Sequence, residues 1–315
     1  MIDTFEGKLA VVTGGGSGMG RELVRQLSAA GADVAMCDIN EENMAGTASL
    51  VAESGSGGRL SSHRCDVADE SQVLAFRDAV TGTHQTDHVD ALFNNAGIGG
   101  GGSFVADERD AWERTFNICW NGVYHCARAF MDLLLRSEAG ALVNTSSING
   151  FWASVGPDIP HTSYSAAKFA VKGFTEALIA DFRVNAPHLS AHVVMPGHIG
   201  TSIVVNSTEA HGGIDVVEVR KRLAARDIPV DQLTDEQIEQ LVVERGRAFR
   251  DQAPTTAAQA ATVILDGVTS GQWRILIGED ARHIDELVRS DPWAAYEPGF
   301  MDRIHEAGHL GGLTG

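Results

Sequence analysis

Leu9-Ala10-Val11-Val12-Thr13, then Gly14-Gly15-Gly16-Ser17-Gly18-Met19-Gly20, then Arg21-Glu22-Leu23-Val24, is the stretch whose reading decides the fold. The apolar, β-branched run reads as a buried strand, and a helical pattern begins at Arg21. Glycines between them let the backbone turn tightly and approach a pyrophosphate, which then lies at the positive end of the helix dipole. The strict G-x-G-x-x-G spacing is absent, so the turn taken alone also reads as a tight strand-to-helix connection. Asp38 closes the next apolar run, 18 residues past Gly20. An acidic side chain there accepts hydrogen bonds from an adenosine ribose diol and repels a 2′-phosphate, which predicts NAD rather than NADP. The other role open to Asp38 is to cap the following helix.

Working outward, short apolar runs alternate with helical patterns along most of the chain. Residues 9–13, 33–38, 60–66, 91–95, 141–146, 190–195 and 274–278 read as strands, several nearly continuous in apolar residues as strands covered on both faces are. Strand followed by helix, repeated, predicts an α/β fold: one doubly wound, Rossmann-type parallel sheet of about seven strands with helices on both faces. Residues 1–280 are expected to form this dinucleotide-binding domain, with an inserted helical lid at 202–252. Within the insertion, Thr234-Asp235-Glu236-Gln237 fits a capping box, followed by Ile238, Leu241, Val242 and Phe249 near helical spacing. The lid reading stands beside a permanently docked helical decoration. The tail, 281–315, is expected either to pack on a neighbouring subunit or to be loose.

Among 315 residues, 42 are acidic and 24 basic, a formal net charge of −18 that repels phosphate backbones and anionic membranes. Nucleic acid is therefore not an expected partner. No apolar run reaches the roughly 18 residues of a membrane span, and no charged-then-apolar leader precedes the strand at Leu9. Cys37, Cys65, Cys119 and Cys126 show no paired spacing, as reduced, buried thiols do. A cytoplasmic protein is the expectation.

Tyr164-Ser165-Ala166-Ala167-Lys168 lies in a helical pattern, preceded by Ser146-Ser147 at the end of the fifth strand. Residues four apart share a helix face, and an ammonium beside a phenol favours the phenolate, a usable base. A tyrosine merely stacked on a lysine stem has the same spacing.

Taken together, the chain resembles the short-chain dehydrogenase/reductase family. The likeness rests on Thr13-Gly14-x-x-x-Gly18-x-Gly20, Asp66, Asn94-Asn95-Ala96-Gly97, Ser147, Tyr164-x-x-x-Lys168 and Pro196-Gly197-x-x-x-Thr201, in the family's order over roughly residues 5–280. The resemblance implies that Tyr164 is the acid/base, that Lys168 grips the nicotinamide ribose and lowers the tyrosine pKa, and that Ser147 hydrogen-bonds the reacting oxygen. It further implies a cofactor site built from Gly14, Ser17, Gly18, Met19 and Gly20, with Asp66 and Val67 on the adenine. Asn94, Ala96 and Gly97 would line the cleft, and Pro196, Gly197, Ile199 and Thr201 would clasp the nicotinamide. The family pattern also implies a homo-oligomer, a tetramer ahead of a dimer, paired through helices near 107–136 and 163–185.

One position departs from the pattern. Aligning on Gly122-Val123-Tyr124 puts Cys119 where the family has an Asn in a proton relay, with Asn117 and Asn121 turned away unless the helix is distorted. The expected function is an NAD-dependent oxidoreductase interconverting a secondary alcohol and its ketone, acting on an apolar cyclic or aryl substrate. The alternative is a catalytically weak NAD-binding protein. Phe151, Trp152, Ile203, Val204, Val205 and Phe249 are the expected apolar pocket walls, without an evident partner for a charged substrate. His305-Glu306-Ala307-Gly308-His309 fits H-E-x-x-H, but Gly308 weakens the helix that zinc chemistry needs, so no metal is expected.

Overall fold

The computed structural model describes residues 1–55, 57–156, 159–224 and 233–310. In chain order the strands are β1 (Leu9–Thr13), β2 (Asp33–Asp38), β3 (Leu60–Arg64), β4 (Ala91–Asn94), β5 (Gly140–Thr145), β6 (Leu189–Pro196), β7 (Ile199–Gly200), β8 (Thr255–Thr256) and β9 (Arg274–Ile277). The helices are α1 (Gly18–Ala29), α2 (Glu41–Glu53), α3 (Glu70–His84), α4 (Arg109–Phe116), α5 (Gly122–Leu134) and α6 (Thr162–Asn185). They continue as α7 (Ile203–Ala210), α8 (Val216–Ala224), α9 (Asp235–Asp251), α10 (Ala257–Thr269), α11 (Glu279–Ser290) and α12 (Phe300–Glu306).

Seven strands form one parallel sheet in the order β3-β2-β1-β4-β5-β6-β9. The period of two explains why they read as continuous apolar runs. Ala10, Val12, Val34, Met36 and Phe93 meet α1 and α10 through Leu23, Leu27, Ile264 and Val268. Leu9, Val11, Ala35, Leu92 and Leu142 meet α3, α5 and α6 through Phe76, Phe130, Leu178 and Phe182. Burying each such large side chain contributes about 1.5–3 kcal/mol. The strand order reverses between β1 and β4, so successive crossovers leave by opposite faces and a crevice opens beyond the carboxyl ends of those strands.

Three features depart from simple alternation. Between α4 and α5 the chain makes a π-helical turn over Asn117–Asn121, so the regular helical angles assumed for Asn117 and Asn121 do not hold there. The insertion after Thr201 is tied at both roots by a two-residue parallel ladder, Ile199 opposite Thr255 and Gly200 opposite Thr256. Its helix α9 starts at the expected capping box, where Gln237 N donates to Thr234 Oγ1 at 3.3 Å and Thr234 N to Gln237 Oε1 at 2.8 Å. Residues 225–232 of the expected lid lie outside the described residues.

The tail is docked rather than loose. Phe300, Met301, Ile304 and Leu310 form a third apolar cluster with Ile148, Trp152 and Ile284 of the same chain. Trp152 Nε1 donates to Ala295 O at 2.8 Å, and the Tyr296 hydroxyl accepts from Ala153 N at 3.0 Å. Trp152, expected as a pocket wall, is therefore the anchor of the tail, and Phe151 packs beneath the Arg274 guanidinium at 5.6 Å. Residues 311–315 of the tail lie outside the described residues.

Candidate active site

Helix α6 carries Tyr164 and Lys168, and buried hydrogen bonds fix it to the sheet. Ser146 Oγ donates to Lys168 O at 2.7 Å, and Lys168 Nζ donates to Thr145 O at 2.8 Å. Deeper, Asn94 Nδ2 donates to Asn144 Oδ1 at 2.8 Å and Asn144 Nδ2 donates to Thr175 Oγ1 at 3.0 Å, joining β4, β5 and α6 in one polar chain. Lys168 Nζ stands 5.4 Å from the Tyr164 ring centroid. Burial pushes the Tyr164 phenol above its ordinary pKa, while the Lys168 ammonium and a hydrogen bond to Ser147 pull it down and Cys119 pushes it up. Tyr164, Lys168 and Ser147 line one cavity of about 910 Å³.

A second cavity of about 400 Å³ adjoins it at Met19, Asn95, Gly97, Thr201 and Ile203, which line both. Its walls bring together Gly14, Ser17, Gly18 and Met19 of the glycine turn, Asp38 at the end of β2, Asp66 and Val67 beyond β3, and Ala96 beyond β4. Pro196, Gly197, Ile199 and Thr201 lie on the larger cavity. Gly14 has φ +69, and a Cβ there would lie 2.9 Å from Ala96 Cα, so only glycine keeps this approach open. Ser17 precedes α1 without a side-chain cap, which leaves the helix start free for an anion. Asp38 accepts from Gly16 N and from Asn40 N, both at 3.0 Å. Arg21, the cation of this turn, is engaged by Gly16 O and Thr47 Oγ1.

Two expected cofactor contacts are relocated. Asn94 ends β4 with its side chain turned into the core, and its neighbour Asn95 lines the cleft with a buried Oδ1 that lacks a protein partner. Strand alternation sends adjacent residues to opposite sides, so one asparagine holds α6 and the other faces the cleft. Gly20 is packed under the turn, where a Cβ would strike Gly14 O, and it does not line either cavity. Its role is close packing of helix on strand.

Cys119 is fully buried in the π turn, and its thiol donates to Ile98 O at 3.1 Å. A Cβ on Gly97 would lie 3.5 Å from Lys168 Nζ and 3.6 Å from Cys119 Sγ, so the thiol and the ammonium both border Gly97. Asn121 Nδ2 instead donates to Asn117 Oδ1 at 2.9 Å.

The insertion crosses the cleft. Asn206 Nδ2 donates to Ser17 Oγ at 3.1 Å, Ser207 Oγ accepts from Gly99 N at 2.8 Å, and His211 Nε2 lies 3.1 Å from Gly99 O. Sequence reasoning missed Asn206 and Ser207, whose signal was only their position one turn into a helix rooted at Thr201. Ile203, Val204, Val242 and Phe249 line the larger cavity, whereas Val205 packs on Gly246. Leu310 of the tail also reaches it, and so do Arg245 and Lys221, whose Nζ is 3.8 Å from Glu218 Oε2. Val155 and Ile159 line it as well, while Pro157 and Asp158 between them lie outside the described residues.

The H-E-x-x-H histidines do not share a helix: α12 ends at Glu306, Gly308 has φ +80, and the His309 ring packs on His283 at 5.3 Å. Among the described residues, no group of three or more His, Cys, Asp or Glu is arranged to hold a metal ion.

Comparison with known proteins agrees with this architecture. A family profile described as short chain dehydrogenase matches residues 8–212. The oxidoreductase SadH of Mycobacterium tuberculosis is 34% identical over 288 residues, covering 91% of this chain and 92% of its own. A short-chain dehydrogenase/reductase of Burkholderia phymatum, solved with NAD, superposes with a TM-score of 0.75 at 26% identity over 95% of this chain and 98% of its own. An NADPH-bound short chain oxidoreductase of Pseudomonas aeruginosa superposes with a TM-score of 0.63 at 25% identity, over 88% of this chain and 97% of its own.

Proposed function

The chain belongs to the short-chain dehydrogenase/reductase family, an oxidoreductase family, and on that premise we propose that it uses NAD to interconvert a secondary alcohol and its ketone, with cyclic or aryl compounds as substrates. The observation that carries the reading is the convergence of Tyr164, Lys168 and Ser147 on one cavity that adjoins a glycine-lined cradle. The cradle fits a dinucleotide: it has an uncapped helix start for the pyrophosphate and the orphaned Asn95 Oδ1 as an acceptor inside the cleft. When bound, the nicotinamide supplies the hydride acceptor.

The chain's own residues manage the proton and the geometry. Tyr164 takes the hydroxyl proton of the alcohol while the carbinol carbon gives up hydride, and it returns that proton in the reverse direction. Lys168, held by Thr145 O, keeps further N–H donors for the ribose of the cofactor and favours the phenolate by its charge. Ser147 donates to the reacting oxygen. Asp38 lines the smaller cavity, where its carboxylate would accept from an adenosine ribose, Arg21 is already engaged, and Ser17 occupies a place suited to a basic residue in an NADP site. These features support NAD over NADP.

Asp66, Val67, Ala96 and Asn95 are proposed around the adenosine half, with Pro196, Gly197, Ile199 and Thr201 around the nicotinamide. Helices α7 to α9 are proposed as a lid, since α7 bridges the glycine turn and the 98–102 loop. The alternative, a catalytically weak NAD-binding protein, draws on Cys119, which borders Gly97 together with Lys168; the intact Ser147, Tyr164 and Lys168 favour the enzyme. No described helix is long and apolar enough to cross a membrane. Four free, buried thiols support a reducing compartment, and we assign the enzyme to the cytoplasm as a homotetramer. Incubation with NAD⁺ and a panel of cyclic secondary alcohols is expected to give NADH absorbance with at least one. Silence with every alcohol, and with the matching ketones plus NADH, would contradict the proposal.

A further inference from the structure

His161 immediately precedes α6 and lines the larger cavity with its ring packed on that of Tyr164, centroids 4.8 Å apart and planes at 42°. A residue at this position ordinarily caps the helix, yet its side chain makes no capping bond. The cap is supplied elsewhere: Thr162 N donates to Gly102 O at 2.9 Å and Ser163 N to Gly101 O at 3.1 Å. Among the described residues, the ring nitrogens of His161 find no hydrogen-bond partner, and burial alone lowers its pKa to about 4. The imidazole is therefore neutral at working pH, offering one N–H donor and one lone-pair acceptor. Such a group in a largely apolar wall needs a partner when water leaves the site. Tyr164 and Ser147 are engaged with the reacting oxygen in the proposed reaction, so that partner is a different oxygen.

Resting on the proposed alcohol–ketone chemistry, we infer that His161 is a specificity-determining residue: its imidazole hydrogen-bonds a second oxygen of the substrate, on the carbon next to the reacting carbinol. Cyclic vicinal diols and their α-hydroxy ketones are then the preferred substrate class. The apolar walls, Ile203, Val204 and Phe249, face the ring of such a substrate, and His161 reads its extra oxygen. A simple alcohol leaves the imidazole dry and unpaired, and a site built for one hydrogen bond disfavours the analogue lacking it by roughly tenfold to a hundredfold.

The test compares kcat/KM for cyclohexane-1,2-diol, both diastereomers, with that for cyclohexanol, in the wild type and in His161→Phe and His161→Asn. The wild type is expected to prefer one diol diastereomer by about tenfold or more. His161→Phe, which keeps a ring against Tyr164, is expected to abolish that preference, and His161→Asn, which keeps a donor and an acceptor, to restore part of it. A wild type that oxidises both alcohols without diol preference, or a preference unchanged in His161→Phe, would overturn the inference. Calorimetric binding of the diol to the NAD⁺ complex of Tyr164→Phe, with and without His161→Phe, separates the two readings. Tighter diol binding through His161 in a wild type that oxidises neither alcohol would sink the proposed reaction and uphold the recognition role. Equal binding in the two variants would sink the recognition role.

Discussion

At the residue scale the site is a balance of opposed electrostatic effects. Burial of Tyr164 favours the neutral phenol and Lys168 favours the phenolate. Alcohol oxidation needs the phenolate, so kcat/KM falls as pH drops below the pKa of Tyr164. Removing the charge in Lys168→Ala raises that pKa, and the acidic limb of the pH profile is expected to move to higher pH. An unmoved limb would show that another group titrates. His161, held down near 4, does not supply this limb. For the cofactor, the wild type is expected to bind NADP at least about tenfold more weakly than NAD, because a 2′-phosphate would face the Asp38 carboxylate. Asp38→Ala is expected to narrow that gap in fluorescence titrations, and equal affinity of the wild type for both cofactors would refute the assignment. Tyr164, Lys168 and Ser147 were legible as candidates because each sits in an ordered motif, and Asp38 because it closes a strand 18 residues past the glycine turn. The sequence did not separate Asn94 from Asn95, since only the register of β4 decides which one enters the core.

At the scale of elements, legibility follows length and local chemistry. The capping box at Thr234 and the apolar strands were visible because propensity and periodicity act within a few residues. The β7–β8 ladder was not, since two residues carry no period. The π turn at Asn117–Asn121 leaves no compositional mark, and the docking of the tail depends on Trp152 meeting Phe300 across 148 positions of sequence. That contact makes Phe300→Ala costly: a buried ring removed from beside Trp152 is expected to lower stability by about 3–5 kcal/mol in urea denaturation. A loss below 1 kcal/mol would mean the tail contributes little to the folded state. For the insertion, lid closure predicts that hydrogen exchange over 202–224 and 233–252 slows more when NAD and a substrate analogue bind together than with either alone. Equal exchange in all three states would leave it a fixed decoration.

At the scale of the molecule, the parallel sheet dictates where chemistry can occur. Reversal of strand order beside β1 opens a single crevice, and every motif that resembles the family's ends at that edge of the sheet. Tyr124 on α5 and Phe169 on α6 are exposed aromatic rings on helices expected to pair subunits. Sedimentation is therefore expected to give a species near four times 33.5 kDa, and a 33.5 kDa species alone at micromolar concentration would refute assembly. The central claim, hydride transfer with Tyr164 as the proton acceptor, is tested most directly by isotope tracing. A cyclic secondary alcohol carrying deuterium on its carbinol carbon is incubated with enzyme and NAD⁺, and the reduced cofactor is examined by mass spectrometry. The account predicts deuterium in the reduced nicotinamide with the wild type and a loss of at least about a hundredfold in its rate of appearance with Tyr164→Phe, while NAD still binds. Reduced cofactor without deuterium, or undiminished labelling in Tyr164→Phe, would contradict it.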